Sequence, residues 1–215
     1  MDKKNILYIV IPCYNEQDVL PITAPMFEKQ LNVMINNNKI SDKSSVLFVN
    51  DGSKDNTWNI ICSLAKENSK FKGVNLSRNR GHQNALLAGL MTVKDECDAV
   101  ISMDADLQDD VESMAEMIRK AGEGTNIVFG VRNDRTTDTV MKRTTADWYY
   151  RTLNALGVHT IPQHADFRLM DREALEALSQ YREVNLFLRG IATDIGLKTD
   201  CVYYSRKART AGESK

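Results

Sequence analysis

The sequence has little of several features that mark whole classes of protein. Its four cysteines are scattered and form no Cys-x-x-Cys pair, which disfavours both a zinc site and a disulfide framework. The apolar run near the N-terminus, Ile6 to Pro12, spans only about seven residues, too few for a signal-peptide core or a membrane span. We therefore expect a soluble, cytosolic segment whose thiols are free and buried.

The chain also has almost no net charge. The formal net charge is −1 at pH 7, so the chain lacks the electrostatic footprint of a nucleic-acid-binding protein, and we predict no nucleic-acid partner. Hydrophobic residues make up 42% of the 215 positions, a share that supports one packed α/β domain and argues against disorder. Any basic binding site must therefore be local.

What the sequence does contain is an alternation of strand and helix patterns. Short apolar, β-branched runs predict strands at 6–12, 46–49, 74–76, 99–103 and 127–131. The stretches between them predict helices at about 16–36, from Asp55 onward, at 81–94 and at 110–120. Two further short strands are predicted near 167–170 and 201–204. Such alternation predicts a mostly parallel sheet with helices on both faces and right-handed crossovers.

Polar motifs follow the first four predicted strands. They are Tyr14-Asn15-Glu16, Asp51-Gly52-Ser53, Arg78-Asn79-Arg80-Gly81 and Asp104-Ala105-Asp106. In an open parallel sheet the carboxyl ends of the strands meet at one edge, where ligands bind. The four motifs therefore predict a single site at that edge.

Asp104 and Asp106 are the metal candidates. Residues two apart in an extended segment point the same way, so both carboxylates can face one cation, and Gln108 offers a neutral oxygen. Such oxygen ligands suit Mg²⁺ or Mn²⁺, which would neutralise charge on a leaving nucleoside diphosphate. An isolated Asp-x-Asp is more often a solvated loop that caps the next helix. The neighbouring polar strand ends favour the metal site.

The other strand ends have two interpretations each. Asp51 suits a contact with a base or ribose, although Asn-Asp-Gly-Ser is also an ordinary turn sequence. Arg78 and Arg80, with the helix that begins near Gly81, suit the phosphates of a nucleotide, although exposed arginines usually form a solvated face. We count Arg80 among the nucleotide-binding candidates.

The three histidines receive little functional weight. His82 stands alone and is expected to be structural or solvent-facing. His159 and His164 are five residues apart, a spacing that matches no common helical pair of metal ligands. We therefore predict no histidine metal site.

A set of motifs occurs in order along almost the whole chain. It comprises Ile-Pro-Cys-Tyr-Asn-Glu (11–16), Val-Asn-Asp-Gly-Ser-Lys-Asp (49–55), Leu-Ser-Arg-Asn-Arg-Gly-His-Gln (76–83), Met-Asp-Ala-Asp-Leu-Gln-Asp (103–109), Gly-Val-Arg (130–132), Asp-Phe-Arg-Leu-Met (166–170) and a basic end (206–215). With these motifs the sequence resembles family 2 glycosyltransferases of the GT-A fold. The resemblance is greatest to the branch that includes dolichyl-phosphate mannose synthase and bacterial polyprenyl-phosphate glycosyltransferases.

The resemblance implies roles for individual residues. It places the nucleotide against Pro12, Tyr14, Glu16, Asp51 and Asp104, and the metal at Asp104, Asp106 and Gln108. It implies contacts with phosphate or acceptor at Arg132, Arg143, Arg168, Arg206 and Arg209. The residues expected to be catalytic are Asp104, Asp106, Arg132 and Asp166. One departure is Leu-Gln-Asp-Asp where Leu-Gln-Asp-Pro is usual, so the next helix is expected to begin about a residue away from its usual place.

The activity implied by the resemblance is inverting transfer of a hexose-type sugar from a UDP- or GDP-sugar to a polyprenyl phosphate lipid. Such an acceptor is already anionic and needs no strong general base. The larger task is to hold two negative groups together, for which a metal and arginines are suited. Residues 1–131 would bind the nucleotide sugar and residues 132–215 the acceptor, within one catalytic domain.

A lipid acceptor implies work at the cytoplasmic face of a membrane. A basic surface near 140–156 would dock the domain there, or transmembrane helices beyond Lys215 would anchor it, and the resemblance favours the helices. A homo-oligomer is compatible with the sequence.

Two other functions stay open. A family 2 enzyme with a saccharide acceptor, acting in cell-surface polysaccharide synthesis, would keep the donor motifs but need a catalytic carboxylate near Asp166. A non-catalytic nucleotide-sugar-binding protein would keep the donor site without transfer. An aspartyl-nucleophile phosphatase is disfavoured, because its Asp-x-Asp follows the first strand, whereas here the motif follows the fourth.

Overall fold

The structure, a computed structural model, describes residues 5–133, 164–181 and 187–205. Within these ranges the chain forms seven strands: β1 (Leu7–Cys13), β2 (Ser45–Asn50), β3 (Phe71–Asn75), β4 (Ala99–Ser102), β5 (Ile127–Arg132), β6 (His164–Asp171) and β7 (Thr199–Tyr204). The described α-helices are α1 (Leu20–Asn36), α2 (Thr57–Glu67), α3 (His82–Val93), α4 (Met114–Gly122), α5 (Arg172–Leu178) and α6 (Leu188–Asp194).

All seven strands form one sheet in the order β3-β2-β1-β4-β6-β5-β7. The first four strands pair in parallel, and β5 pairs in parallel with β7. Only β6, among the described strands, runs antiparallel to its neighbours β4 and β5. The predicted mostly parallel sheet is confirmed, and its one reversed strand begins at the edge where the parallel strands end.

Two apolar cores lie on the two faces of this sheet. On one face the strands pack against α1, α2 and α4 through residues such as Phe27, Ile61 and Met117. On the other face they pack against α3, α5 and α6, through residues such as Leu90 and Leu175. As predicted, helices cover both faces of the sheet, so the connecting loops converge at the two ends of the strands.

Some predicted boundaries were wrong, for local reasons. The third strand is Phe71–Asn75 rather than 74–76, because it is an edge strand that alternates buried and exposed residues and has no compact apolar run. The first helix begins at Leu20, with a proline in its first turn, later than the predicted position 16. After the Asp104 motif a 3₁₀ turn, Val111–Ser113, precedes α4, and the Asp110 side chain caps that turn.

No helix within residues 5–133, 164–181 and 187–205 is both long enough and apolar enough to cross a membrane.

Candidate functional site

A cleft of about 630 Å³ opens at the sheet edge where the parallel strands end. Every one of the four polar motifs contributes to its walls, together with residues from β6 and the start of α6. The lining residues are Pro12, Cys13, Tyr14, Glu16, Asp51, Asn79, Gly81, His82, Gln83, Ala85, Asp104, Ala105, Asp106, Asp166, Phe187 and Arg189. The predicted convergence of the strand ends is therefore confirmed.

The Asp51 turn holds the loop that follows β3. Its backbone N–H donates to the carbonyl of Cys13, 2.8 Å away, and its carboxylate accepts from the backbone N–H groups of Arg80 and Gly81 at 2.7 and 2.9 Å. The next residue, Gly52, has a φ of +63°, and a Cβ there would lie 2.4 Å from the carbonyl carbon of Arg78. The turn and the β3–α3 loop thus fix one another in place.

The loops after β1 and β2 are joined in a similar way. The backbone N–H of Asn15 donates to the Ser53 hydroxyl at 3.0 Å, and that of Glu16 donates to the Thr57 hydroxyl at 2.8 Å. In return the Asn15 side chain accepts from the backbone N–H of Lys54 at 2.9 Å. These contacts set the wall on which the nucleotide is predicted to lie.

The turn that carries Asp104 and Asp106 is strained and clamped. Leu107 has a φ of +53°, in the left-handed region that non-glycine residues seldom occupy. Its side chain is buried, and the backbone N–H of Gln108 donates to Asp106 at 3.1 Å. The turn is thereby held in a conformation that an isolated peptide would avoid.

A buried carboxylate fixes the far side of this turn. Asp109 accepts from the guanidinium of Arg132 at 3.0 Å and from the hydroxyl of Tyr204. The Tyr204 ring also packs edge-on against Phe167, with centroids 5.4 Å apart. These contacts of Asp109 therefore attach the metal-candidate turn to the ends of β5 and β7.

Negative charge is concentrated around Asp104. Its side chain is 41% exposed to the cleft, and protein surrounds it on the other sides. Burial raises the pKa of Asp104 to about 6, with His82 opposing the rise and the carboxylates of Asp109, Asp106 and Asp166 adding to it. Crowded carboxylates of this kind favour a bound cation.

The described side chains provide only part of a cation site. Among residues 5–133, 164–181 and 187–205, no group of three or more histidine, cysteine, aspartate or glutamate side chains is arranged to hold a metal. A divalent ion at Asp104 and Asp106 would therefore take further ligands from outside these side chains. A diphosphate bridged to two carboxylates fits that requirement, so the donor set suits Mg²⁺ or Mn²⁺ with a nucleoside diphosphate.

Beside Asp104, at the start of the neighbouring strand β6, Asp166 is surrounded by cationic groups. It accepts from Arg168 at 2.9 Å and from two N–H groups of Arg189 at 3.1 and 2.9 Å. The Nε2 atom of His82 lies 3.3 Å away, and the Gln83 amide approaches both carboxylate oxygens at 3.4 Å. Although burial favours the neutral acid, His82, Arg189 and Arg168 hold the pKa of Asp166 well below its usual range.

His82 connects the two walls. Its Nε2 atom lies 3.6 Å from Asp104 and 3.3 Å from Asp166. Burial opposes the imidazolium, but Asp166 and Asp104 outweigh burial and raise the pKa of His82. From the sequence, His82 was expected to be structural or solvent-facing, because a lone histidine has no informative spacing, although its place beside a predicted strand end was a usable signal.

Neither Gln83 nor Arg189 was given a role from the sequence, although Gln83 ends the motif at 76–83. Gln83 follows His82 at the start of α3, so the same strand-end argument would have found it. Arg189 lies on α6, which no motif predicted, and it reaches the site only through tertiary packing against β6.

The predicted arginines lie in different environments. Arg80 contributes its backbone to the site, and its side chain is exposed outside the cleft lining. Arg132 pairs with Asp109 behind the metal-candidate turn. Arg168 is 2% exposed and bonds Asp166 and the carbonyl of Leu188, so it supports the cleft wall from behind. Their predicted phosphate contacts stay predictions.

Other predicted residues lie outside the described part of the chain. They are Arg143, Arg206, Arg209 and His159, together with the basic surface proposed near 140–156. Pro12, Tyr14, Glu16, Asp51, Asp104, Asp106 and Asp166 do line the cleft, whereas Gln108 does not. The roles given to these residues stay predictions.

Comparison with known proteins relates the chain to sugar transferases. The sequence model of glycosyl transferase family 2 matches residues 8–179. The chain is 49% identical over 210 residues to the uncharacterized glycosyltransferase YkoT of Bacillus subtilis (strain 168), covering 98% of this chain and 62% of that protein. It is 37% identical over 211 residues to the prophage bactoprenol glucosyl transferase homolog of Escherichia coli (strain K12), covering 96% and 65%. The chain thus spans a little under two thirds of the length of these relatives.

A solved structure shares the fold. Glucosyl-3-phosphoglycerate synthase from Mycobacterium tuberculosis, in complex with Mn²⁺, UDP-glucose and phosphoglyceric acid, has a TM-score of 0.59 at 16% identity. The similarity covers 97% of this chain and 73% of that one. It supports the architecture of one mostly parallel sheet between two layers of helices.

Proposed function

Since the chain belongs to glycosyl transferase family 2, we propose that it transfers a hexose-type sugar, with inversion, from a UDP- or GDP-sugar to a polyprenyl phosphate. The donor would lie between the β1, β2 and β3 loops and the Asp104 turn. The acceptor phosphate would enter from the side of β6 and α6, with residues 132–215 forming the acceptor half.

The observation that carries this proposal is the arrangement of charge in the cleft, where two carboxylates lie beside a cluster of cationic side chains. One wall presents the carboxylates of Asp104 and Asp106. The other surrounds the single carboxylate of Asp166 with Arg168, Arg189 and His82, which leaves a cationic surplus. An acidic wall suits a cation-bound diphosphate, and a cationic wall suits a second anion. Two negative groups can then approach each other at the reacting carbon.

The state of Asp166 favours an anionic acceptor over a saccharide hydroxyl. A hydroxyl acceptor requires a base that takes up a proton near neutral pH. Although burial opposes them, His82, Arg189 and Arg168 lower the pKa of Asp166, which makes this carboxylate a weaker proton acceptor. A phosphate oxygen needs no such base, so we propose that Asp166 positions Arg189 and His82.

A divalent cation fits the acidic wall. Bound at Asp104 and Asp106, Mg²⁺ or Mn²⁺ would supply Lewis-acid stabilisation of the leaving diphosphate. The similar synthase described above binds Mn²⁺ together with UDP-glucose, which supports this assignment. Gln108 is proposed as a further oxygen ligand of the cation.

The names of the relatives support the lipid acceptor. Bactoprenol appears in the name of the Escherichia coli relative, which is 37% identical over nearly the whole of this chain. An acceptor with a long apolar tail implies that transfer takes place at a membrane surface. We propose the cytoplasmic face, where nucleotide sugars are available.

Asp106→Asn, with Asp110→Asn as its matched control, tests the proposal. Both changes replace a carboxylate by an amide in the segment between β4 and α4, and Asp110 caps the 3₁₀ turn, a role asparagine also fills. Sugar transfer to farnesyl phosphate would be measured with Mn²⁺ and each of several UDP- and GDP-sugars. We expect Asp106→Asn to lower kcat/KM on the order of a hundredfold, because metal stabilisation worth several kcal/mol is lost. Asp110→Asn should stay within about threefold, as surface changes do.

Three results would count against the proposal. Full activity of Asp106→Asn would refute the proposed metal site at Asp104 and Asp106. Transfer to saccharides but not to farnesyl phosphate would favour the polysaccharide alternative. Donor binding without transfer to any acceptor would favour a non-catalytic nucleotide-sugar-binding protein.

A further inference from the structure

Phe187 is an exposed aromatic side chain at the mouth of the cleft. It is 61% exposed and belongs to the cleft lining. The other large hydrophobic side chains exposed in the described residues lie outside that lining, on α1 and β7: Ile22, Met26, Val33 and Tyr203. Single exposed apolar residues are ordinary on a protein surface, so its position beside the site is what distinguishes Phe187.

The helix that follows fixes the ring. Phe187 directly precedes α6, and its carbonyl accepts from the backbone N–H of Ile191 at 3.0 Å. A Cβ at Gly190 would lie 2.7 Å from the Phe187 ring, so the ring lies against the helix where that residue has no side chain. The aromatic surface is therefore held in one place at the cleft mouth.

Arg189 lies two residues further along and faces the same cleft. Its side chain is 44% exposed while it bonds Asp166 through two N–H groups. Because Arg168 pairs with Asp166 from the interior, the single carboxylate faces two guanidinium groups. Arg189 therefore retains positive charge and exposed surface that an entering anion can use.

We propose that Phe187 and Arg189 form the acceptor subsite, with Arg189 binding the phosphate and the Phe187 ring packing on the first isoprene unit. This inference rests on the proposed function. An isoprenoid phosphate joins an anion directly to a branched apolar chain, so its recognition needs a cation next to an apolar surface. Phe187 and Arg189 provide that pair on one short segment of the cleft rim.

The expected contribution of the ring follows from its area. Covering about 50 Å² of apolar surface at about 25 cal/mol per Å² corresponds to roughly an eightfold gain in affinity. That gain should apply to isoprenoid phosphates and be absent for inorganic phosphate, which has no apolar part.

Calorimetric titration of the 215-residue chain with geranyl phosphate and with inorganic phosphate tests the subsite. Phe187→Ala should weaken the binding of geranyl phosphate roughly eightfold and leave the binding of inorganic phosphate unchanged. The affinity of Phe187→Leu for geranyl phosphate should lie between those of the unaltered chain and Phe187→Ala. Arg189→Gln should weaken both ligands. Tyr203→Ala is the matched control, because Tyr203 is 64% exposed but lies outside the cleft lining. It should change neither affinity.

Failure of the subsite is distinguishable from failure of the proposed function. If the unaltered chain binds geranyl phosphate and Phe187→Ala binds it equally well, the subsite is refuted and the lipid acceptor stands. If Arg189→Gln leaves both affinities unchanged, the phosphate part of the subsite is refuted. If the unaltered chain binds a nucleotide sugar but no isoprenoid phosphate, the lipid acceptor and the subsite fail together.

Discussion

Replacing Asp166 by asparagine should destabilise the fold by about 3 kcal/mol, because it removes the counter-charge of a buried guanidinium. Arg168 is 2% exposed, and its partners are Asp166 and the carbonyl of Leu188. Burial lowers the pKa of Arg168 to about 10, and Asp166 opposes that effect. Among residues 5–133, 164–181 and 187–205, no second carboxylate pairs with Arg168, so without Asp166 none of these side chains offsets the cost of the desolvated cation.

The magnitude follows from the burial of each partner. Removing one member of a buried ion pair costs about 3 to 5 kcal/mol. The lower figure applies here, because Arg168 keeps the Leu188 carbonyl and the asparagine oxygen can still accept one hydrogen bond. The contact with Arg189 adds less than about 1 kcal/mol, because that side chain is half-exposed.

Urea unfolding at pH 7 measures the effect. Asp95→Asn is the matched control, because Asp95 pairs with Lys94 on the surface, and its loss should leave the free energy of unfolding almost unchanged. The double variant Asp166→Asn/Arg168→Met should recover part of the lost stability, since it removes the unpaired charge.

The same pair predicts a pH dependence. The folded-state pKa of Asp166 is lowered, so its stabilisation is complete above the unfolded pKa of about 4 and is lost as the pH falls further. The difference in stability between the unaltered chain and Asp166→Asn should therefore narrow below about pH 4.

Two results would refute the predicted role of the Asp166–Arg168 pair. One is a loss of unfolding free energy below about 1 kcal/mol for Asp166→Asn at pH 7. The other is a double variant that is less stable than Asp166→Asn alone.

Two further substitutions test how the cleft walls are held. Gly52→Ala should lower the free energy of unfolding in urea by more than about 2 kcal/mol, because φ is +63° and a Cβ would lie 2.4 Å from the Arg78 backbone. Gly124→Ala is the control, with φ +86° but open space around the Cβ, and should cost about 1 kcal/mol. Equal costs for the two substitutions would contradict the close approach at Gly52. Arg132→Ala should lower both turnover and stability, the latter by about 1 to 3 kcal/mol, because buried Asp109 keeps only the Tyr204 hydroxyl of its two described partners. Unchanged stability with lost turnover would instead point to a role in phosphate binding alone.

Local sequence pattern accounts for the strands and for one wall of the cleft. Short apolar runs predicted all seven strands with each end within three residues of its observed place, because burial of a strand leaves a short-range signature. The polar motifs at the carboxyl ends of β1 to β4 predicted the cleft, because parallel strands deliver their ends to one edge. The start of β3 was placed three residues late, because an edge strand that alternates buried and exposed residues has no compact apolar run.

The acceptor side of the cleft was decided by tertiary structure. The sequence indicated a strand near 167–170 but not its direction, and only its antiparallel pairing with β4 carries Asp166 to the ligand edge. Arg189 reaches Asp166 across 23 residues, and Tyr204 reaches Asp109 across 95. Contacts over such separations leave no periodic trace in the sequence. For the same reason the partners of Arg132 and Arg168, which determine where their charges act, became visible only in the folded chain.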